Sequence, residues 1–426
     1  MAADEGVVGT AKRLYKDAGS LAFSSLAAAV FGAAFWAIAA RIYPPEQVGV
    51  MTAVLAVINA LGTVLAAASG DSFTALLPAV GSSRYQLYRF GFRRHLILST
   101  IGGLGGAGVT IWLLPQVRGS AAVAALVFAG TLAYSTLLLQ NLTLLAVGHA
   151  KLVPVSNIGA SAGRIVILLL LSVFIDWHTV EVSFVVSAAL VVAVFWRPLN
   201  RFVRTASNLP QTLSMPLPTA IAEFNSLSIR VMLMAAFSVG IPFLSPFLAT
   251  LYSGPADGAL FAICMTLALL IDFITTAMSA SLVVHAASSP EDGGRMARGV
   301  FVRAVSIAIV ASVGLAVVVP WVLPLLNSSY ANMGILPFIV VLCSASVIRV
   351  FYEVWAELHR SRREMFAPLT VNIVSAVVFF GSMPILATRY GALGCAFAVV
   401  ILRSVNSVGA GLWILKDRLS GRHISA

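Results

Sequence analysis

Charged residues are scarce in this sequence. Asp, Glu, Lys and Arg make up 10% of its 426 residues, against roughly 25% in an ordinary soluble domain. A water-soluble globular protein of this length is thereby excluded. Lysine is nearly missing: 4 of the 27 basic residues are Lys and 23 are Arg. Cysteine is limited to Cys264, Cys343 and Cys395, all within apolar runs, where a thiol packs as a small apolar group. The six histidines (His95, His149, His178, His285, His359, His423) show no H-x3-H type of ligand spacing, so neither metal nor cofactor is expected. A Walker sequence is missing too, which speaks against direct use of ATP. No long loop carries paired carboxylates, and no constellation for membrane glycosyl transfer is visible.

What is present is hydrocarbon. Apolar side chains make up 59% of the chain, and the mean hydropathy is +0.96. Runs of about 20 or more apolar residues follow one another from Ser20 onward, each long enough to cross a ~30 Å hydrocarbon core as a helix. The pattern predicts an all-α polytopic membrane protein with about twelve spans. They lie near 19–41, 47–79, 92–115, 121–147, 151–175, 179–197, 218–241, 256–286, 301–325, 333–357, 366–387 and 391–415. The first apolar run exceeds 20 residues and lacks the short core and small-residue cleavage site of a signal peptide, so a retained first helix is expected.

Lys and Arg fix an expected orientation. With the N-terminus in the cytosol, twenty basic residues fall in inside segments and three in outside loops: Arg41, Arg118 and Arg389. The positive-inside rule then puts both termini in the cytoplasm. It also explains the sequence pI of about 10.1 without nucleic acid, and implies attraction to anionic lipid headgroups. Trp112, Trp177, Trp196, Trp321, Trp355 and Trp413 fall near expected span ends, as an interfacial belt requires, and Trp36 does not.

The chain repeats itself. Shifted by 209 residues, Ala40, Tyr43 and Gly49 of "ARIYPPEQVG" land on Ala249, Tyr252 and Gly258 of "ATLYSGPADG". Arg89 and Arg94 land on Arg298 and Arg303, Trp112 and Pro115 on Trp321 and Pro324, and Lys151 on Arg360. The expected organisation is an N-lobe of six helices over 1–197, a cytosolic linker over 198–217 and a C-lobe of six over 218–426. An even number of spans per lobe makes the repeat parallel, with its pseudo-two-fold axis along the membrane normal, as in many secondary transporters.

"ARIYPPEQVGVMTAVLAVINAL" after a first apolar helix resembles the polysaccharide-transporter and Wzx-type flippase branch of the multidrug/oligosaccharidyl-lipid/polysaccharide exporters. "RYGALGCAFA" (389–398) is similar to that family's corner before its last helix, and "NSSYANMGILPFIVV" (327–341) to its segment leading into the tenth. Relatives in that superfamily include lipid II flippases and multidrug-and-toxic-compound extruders. The resemblance implies a V-shaped, two-lobed transporter of a bacterial inner membrane and not an enzyme. Its implied cargo is a polyprenyl-(pyro)phosphate-linked saccharide moved to the outer leaflet for envelope polysaccharide synthesis. Glycosyltransferases or polymerases of the same route are implied partners.

Such a cargo needs cations at membrane depth, and Arg supplies a planar fork that binds phosphate oxygens in pairs and stays charged. Four arginines lie in expected spans: Arg164, Arg230, Arg349 and Arg403. At about 1.5 Å per residue, Arg164, Arg230 and Arg403 fall near mid-membrane and Arg349 in the cytosolic half. Each can serve substrate or be neutralised locally; Glu353, four residues beyond Arg349, would do this on one helix face. Asp71, Glu223 and Asp272 also lie at depth, either to couple ions or to balance the arginines. Arg89, Arg94, Arg298 and Arg303 form duplicated cytosolic clusters that mark topology or capture phosphate at the mouth. Two other functions stay open: an ion-coupled small-molecule antiporter of the drug-extruder kind, and a non-transporting scaffold for envelope synthesis.

Overall fold

A computed structural model describes residues 30–174, 178–207, 215–288, 293–331, 333–361 and 364–419. The basic residues Lys12, Arg13 and Lys16, the start of the first span, Trp177, and linker residues 208–214 lie outside them. So do Arg362, Arg363 and Arg422. In hydrocarbon no water can satisfy a backbone N–H or C=O, so the spanning elements must be helices or a closed barrel. Among the described residues they are helices: α1 (Val30–Ile42), α2 (Pro45–Leu76), α3 (Arg84–Leu113), α4 (Ala121–Ala146), α5 (Leu152–Leu171) and α6 (Thr179–Ser207). Then follow α7 (Leu217–Ala235), α8 (Ile241–Ser253), α9 (Pro255–Ser288), α10 (Gly293–Leu326) and α11 (Ile335–Ser361). A last stretch, Phe366–Leu419, breaks at Gly391 into α12 (366–390) and α13 (392–419).

Among the described residues ten helical stretches are long and apolar enough to cross a membrane. One of them, Leu217–Ser253, runs through α7, a π-turn at Ala236–Gly240 and α8. Another, Phe366–Lys416, holds both α12 and α13. With α1, a helix stands at each of the twelve expected spans, and the chain is a multi-pass all-α membrane protein. α6 does not stop at the expected edge of its span. It carries Pro198 inside it and continues to Ser207, because Leu199 and Val203 keep a buried apolar face beyond the proline.

The chain divides into two compact units, and the division is not a cut at its midpoint. Residues 30–35 and 54–244 form the first unit, 36–53 and 245–419 the second. In the first unit α7 packs beside α2 and α3. Phe224 is fully buried, its ring 5.4 Å from Phe73 and 6.0 Å from Phe90. Gly91 on α3 leaves the space these rings fill. Leu77, Leu87, Tyr88, Leu199 and Val203 complete this core. Arg84 closes the turn between α2 and α3 by donating from Nε to the Leu77 carbonyl at 2.7 Å.

The second unit gathers the sequence's quoted corners in one place. Between α8 and α9, Gly254 takes φ +96°, and a Cβ on Gly258 would run into the backbone and side chain of Thr250. Thr250 Oγ1 in turn donates to the Gly49 carbonyl at 3.1 Å, and Gly49 itself lies against the backbone of Pro255. The corner at 40–49 and its repeat at 249–258 therefore pack on each other. Asn327 Nδ2 donates to the Ala40 carbonyl at 3.2 Å, and Arg41 Nη1 to that of Leu326 at 3.0 Å. At Gly391 (φ 59°, ψ −139°) the backbone adopts a conformation open essentially to glycine alone. The Ala392 N–H donates to Asp257 at 2.9 Å, and Gly394 lies against the Leu386 backbone. In one continuous helix, residues eight apart would be about 12 Å apart; their contact shows that the chain reverses there.

Tyr43 is 6% exposed, drawn into the corner cluster. One interfacial expectation needs correction. Trp355 is 4% exposed, its ring 4.4 Å from His359 and 5.8 Å from Tyr352, because that face of α11 packs on α12 and α13. Trp112 and Trp321, by contrast, are 73% and 75% exposed.

Gly391→Ala and Gly258→Ala should each destabilise the protein by about 1–3 kcal/mol, the first through backbone strain and the second through overpacking. Gly314→Ala, whose Cβ would meet nothing within 4 Å, should leave the melting temperature unchanged or slightly raised. Thermal unfolding of the three variants in detergent checks this.

Candidate functional site

Five residues on three helices of the second unit build a buried polar cluster. Asp272 and Thr276 stand one turn apart on α9, Arg349 and Glu353 one turn apart on α11, and Arg403 sits on α13. Asp272 Oδ2 takes Arg349 Nη1 at 2.8 Å and Arg403 Nη2 at 2.9 Å, so one carboxylate oxygen serves two guanidinium groups. Arg349 Nη2 reaches Glu353 at 3.0 Å, and Thr276 Oγ1 donates to the other oxygen of Glu353 at 3.2 Å. Asp272, Glu353, Glu357 and Arg403 are all buried. Of the four charged side chains Arg349 keeps the largest accessible share, at 21%.

The physical reason for the cluster is the cost of charge in hydrocarbon. One central Arg costs roughly 2.5–3.5 kcal/mol on the insertion scale, and a paired, hydrogen-bonded one costs less. With two arginines against Asp272 and Glu353 the four charges cancel. Ser407 Oγ, donating to the Ile348 carbonyl at 2.8 Å, ties α13 to α11 beside it. The arrangement holds the Arg349 guanidinium at a fixed angle, Nη1 on Asp272 and Nη2 on Glu353. It also places carboxylates where a proton or a cation would compete with an arginine.

The other expected site residues stand in different surroundings. Arg164 on α5, half-buried in the first unit, lies over the Phe184 ring at 4.9 Å and the Phe35 ring at 5.9 Å. It forms no ion pair among the described residues. Arg230 and Glu223 on α7 are both exposed, and although they share a helix face neither forms an ion pair among the described residues. Asp71 is exposed on α2. Arg89, Arg298 and Arg303 are exposed, whereas Arg94 is half-buried with its guanidinium 5.8 Å from the Phe224 ring.

The pairing of Arg349 with Glu353 follows from their four-residue spacing. That of Arg403 with Asp272 spans 131 positions, and Thr276 had no sequence signal at all. The only available hint was general: an intramembrane Arg near an intramembrane Asp tends to be paired.

Asp272→Asn, which leaves two arginines facing each other, should cost about 3–5 kcal/mol. Adding Arg403→Met should restore part of that stability, with a coupling of about 1 kcal/mol or more. Arg303→Ala at an exposed position should stay within about 0.5 kcal/mol. Thermal melts of the purified variants measure all three.

No protein-family model and no curated protein sequence matches the chain. Solved structures do. The chain is similar to a multidrug resistance MATE family transporter of the MOP superfamily in an inward-facing conformation, with a TM-score of 0.64 at 14% identity. That match covers 95% of this chain and 98% of the other. It is similar to the lipid II flippase MurJ in an inward closed conformation, with a TM-score of 0.70 at 12% identity over 94% of this chain and 89% of MurJ. A MOP superfamily transporter from Pyrococcus furiosus matches with a TM-score of 0.62 at 14% identity, covering 96% of each chain. The chain thus has the fold shared by MATE and MurJ transporters of the MOP superfamily.

Proposed function

We propose that this protein is a flippase. It moves a polyprenyl-(pyro)phosphate-linked saccharide from the cytosolic to the outer leaflet of a bacterial inner membrane by alternating access, for envelope polysaccharide synthesis. Both termini are cytoplasmic in this reading, as the Lys and Arg count supports. The observation that carries it is the state of the first unit's arginines. Arg164 lies against two aromatic rings and Arg230 is exposed on α7, and neither is matched by a carboxylate among the described residues. Cations kept unmatched at membrane depth favour an anionic cargo, and the fork of Arg suits its phosphates. Arg349, held by Asp272 and Glu353 with part of its side chain accessible, is a further contact. Arg403 acts through Asp272 as a positioning residue. Arg89, Arg94, Arg298 and Arg303 gather phosphate at the cytosolic mouth. The fold, found both in a lipid II flippase and in drug extruders, is compatible with this cargo.

A second reading has its own support. The buried carboxylates Asp272, Glu353 and Glu357 are suited to proton or sodium coupling, which an ion-coupled antiporter of small molecules would need. Asp71 and Glu223 would serve that reading from the first unit.

Depletion of the protein in its host should cause one lipid-linked saccharide to accumulate on the cytosolic leaflet. Complementation with Arg230→Ala or Arg164→Ala should lower export about tenfold or more, the loss expected for one charge-assisted contact, at unchanged protein level. Wild-type export from both variants would overturn the anionic-cargo mechanism. Export of cationic compounds under an ion gradient, with no lipid-linked precursor accumulating, would establish the antiporter instead.

A further inference from the structure

The end of α6 carries a basic groove that the transport reading does not use. It has a volume of about 510 Å³ and is lined by Tyr85, Trp196, Arg197, Asn200, Arg201 and Arg204. Arg197, Arg201 and Arg204 are spaced four and three residues apart, so all three project from one face of the helix. Arg204 is fixed: its Nη2 donates to the Tyr85 hydroxyl at 2.8 Å, and its guanidinium lies 4.7 Å from the centre of that ring. Arg197 and Arg201 are exposed and form no ion pair among the described residues. Trp196, its ring 5.0 Å from Phe92, and Asn200, which donates to the Trp196 carbonyl at 2.8 Å, make a rigid wall. None of the lining residues is acidic.

The same helix face continues as exposed hydrocarbon. Leu190 and Val194, 55% and 70% exposed, precede Arg197 by seven and three residues. The four residues 190, 194, 197 and 201 therefore form one stripe, apolar for two turns and then cationic. The change comes near the end of the apolar stretch Thr179–Thr205, beside a Trp of the kind found at membrane–water boundaries. A free anion would use only the cationic half of such a stripe. A lipid uses both.

We infer that this groove binds the phosphate ester headgroup of a membrane lipid, with the lipid's hydrocarbon lying along Leu190 and Val194. Arg197 and Arg201 supply charge-assisted hydrogen bonds to the phosphate oxygens, Asn200 adds a neutral donor, and Arg204 stays on Tyr85 as the floor. The inference is independent of which cargo the protein moves. A bilayer phospholipid and a polyprenyl phosphate share this chemistry, so the experiment carries both.

The full-length chain, purified in mild detergent, is mixed with phosphatidylglycerol, with phosphatidylcholine of the same acyl chains, with undecaprenyl phosphate or with inorganic phosphate. Bound lipid is counted by native mass spectrometry, and phosphate is also tested as a competitor. At least one of the two anionic lipids should be retained over phosphatidylcholine, and equimolar inorganic phosphate should not displace it. Whichever is retained more names the lipid class. The Arg197→Gln/Arg201→Gln variant should lose about fivefold in affinity for each arginine removed, with an unchanged melting temperature. Arg118→Gln/Arg389→Gln, two exposed arginines elsewhere, should bind like the wild type. Equal retention of phosphatidylcholine, full displacement by inorganic phosphate, or undiminished binding by the Arg197/Arg201 variant would overturn the inference.

Discussion

Hydrocarbon offers no partner to a polar group, and that constraint governs this protein from its backbone to its charges. Every amide must be satisfied within the chain, so the spanning segments are helices. A helix can reverse only where its end groups find other partners. Side chains that keep a charge at depth must likewise find a counter-charge, an aromatic face or an aqueous surface. Corners, buried ion pairs and exposed arginines are three answers to the same problem.

The corners show how closely the backbone must approach itself. Gly49 against Pro255, Gly258 against Thr250 and Gly394 against Leu386 are sites where a side chain would collide. Thr250, Asn327 and Asp257 then supply the hydrogen bonds that the interrupted helices lack. Segments near residues 45, 254, 327 and 391 are distant in the chain and adjacent in the second unit. The short motifs that resemble a transporter family are thus architectural. They specify how helices turn and not what is carried.

The charges are distributed unevenly between the units. In the second, Arg349 and Arg403 share Asp272 and are balanced by Glu353, a self-neutralising network in which the Arg349 side chain is partly accessible. In the first, Arg164 rests on aromatic rings and Arg230 is exposed. Cation–π contact lowers the cost of a buried guanidinium without cancelling its charge. Arg164 therefore stands against aromatic rings without a carboxylate partner among the described residues, while Arg403 is paired with Asp272. Two arginines that look alike in sequence carry different chemistry.

The sequence by itself determined the membrane class, a helix at each of the twelve expected spans, and the corners at 40–49, 249–258 and 389–398, but not the π-turn between α7 and α8 or the continuation of α6 to Ser207. Hydropathy runs and turn residues act locally, within one helix length. It also determined the Arg349–Glu353 pair, because four residues is one helical turn. Tertiary structure alone decided that Asp272 on α9 serves Arg403 on α13, that Trp355 is core and not interface, and that α7 packs with the first unit through Phe224. It alone placed Leu190 and Val194 on an exposed face continuous with Arg197 and Arg201. Each of these depends on which helix faces are covered. In a chain that is apolar nearly all round, periodicity carries little information about which face meets protein and which meets lipid. That choice is made by packing between segments remote in sequence, through shape and charge that only the folded chain brings together.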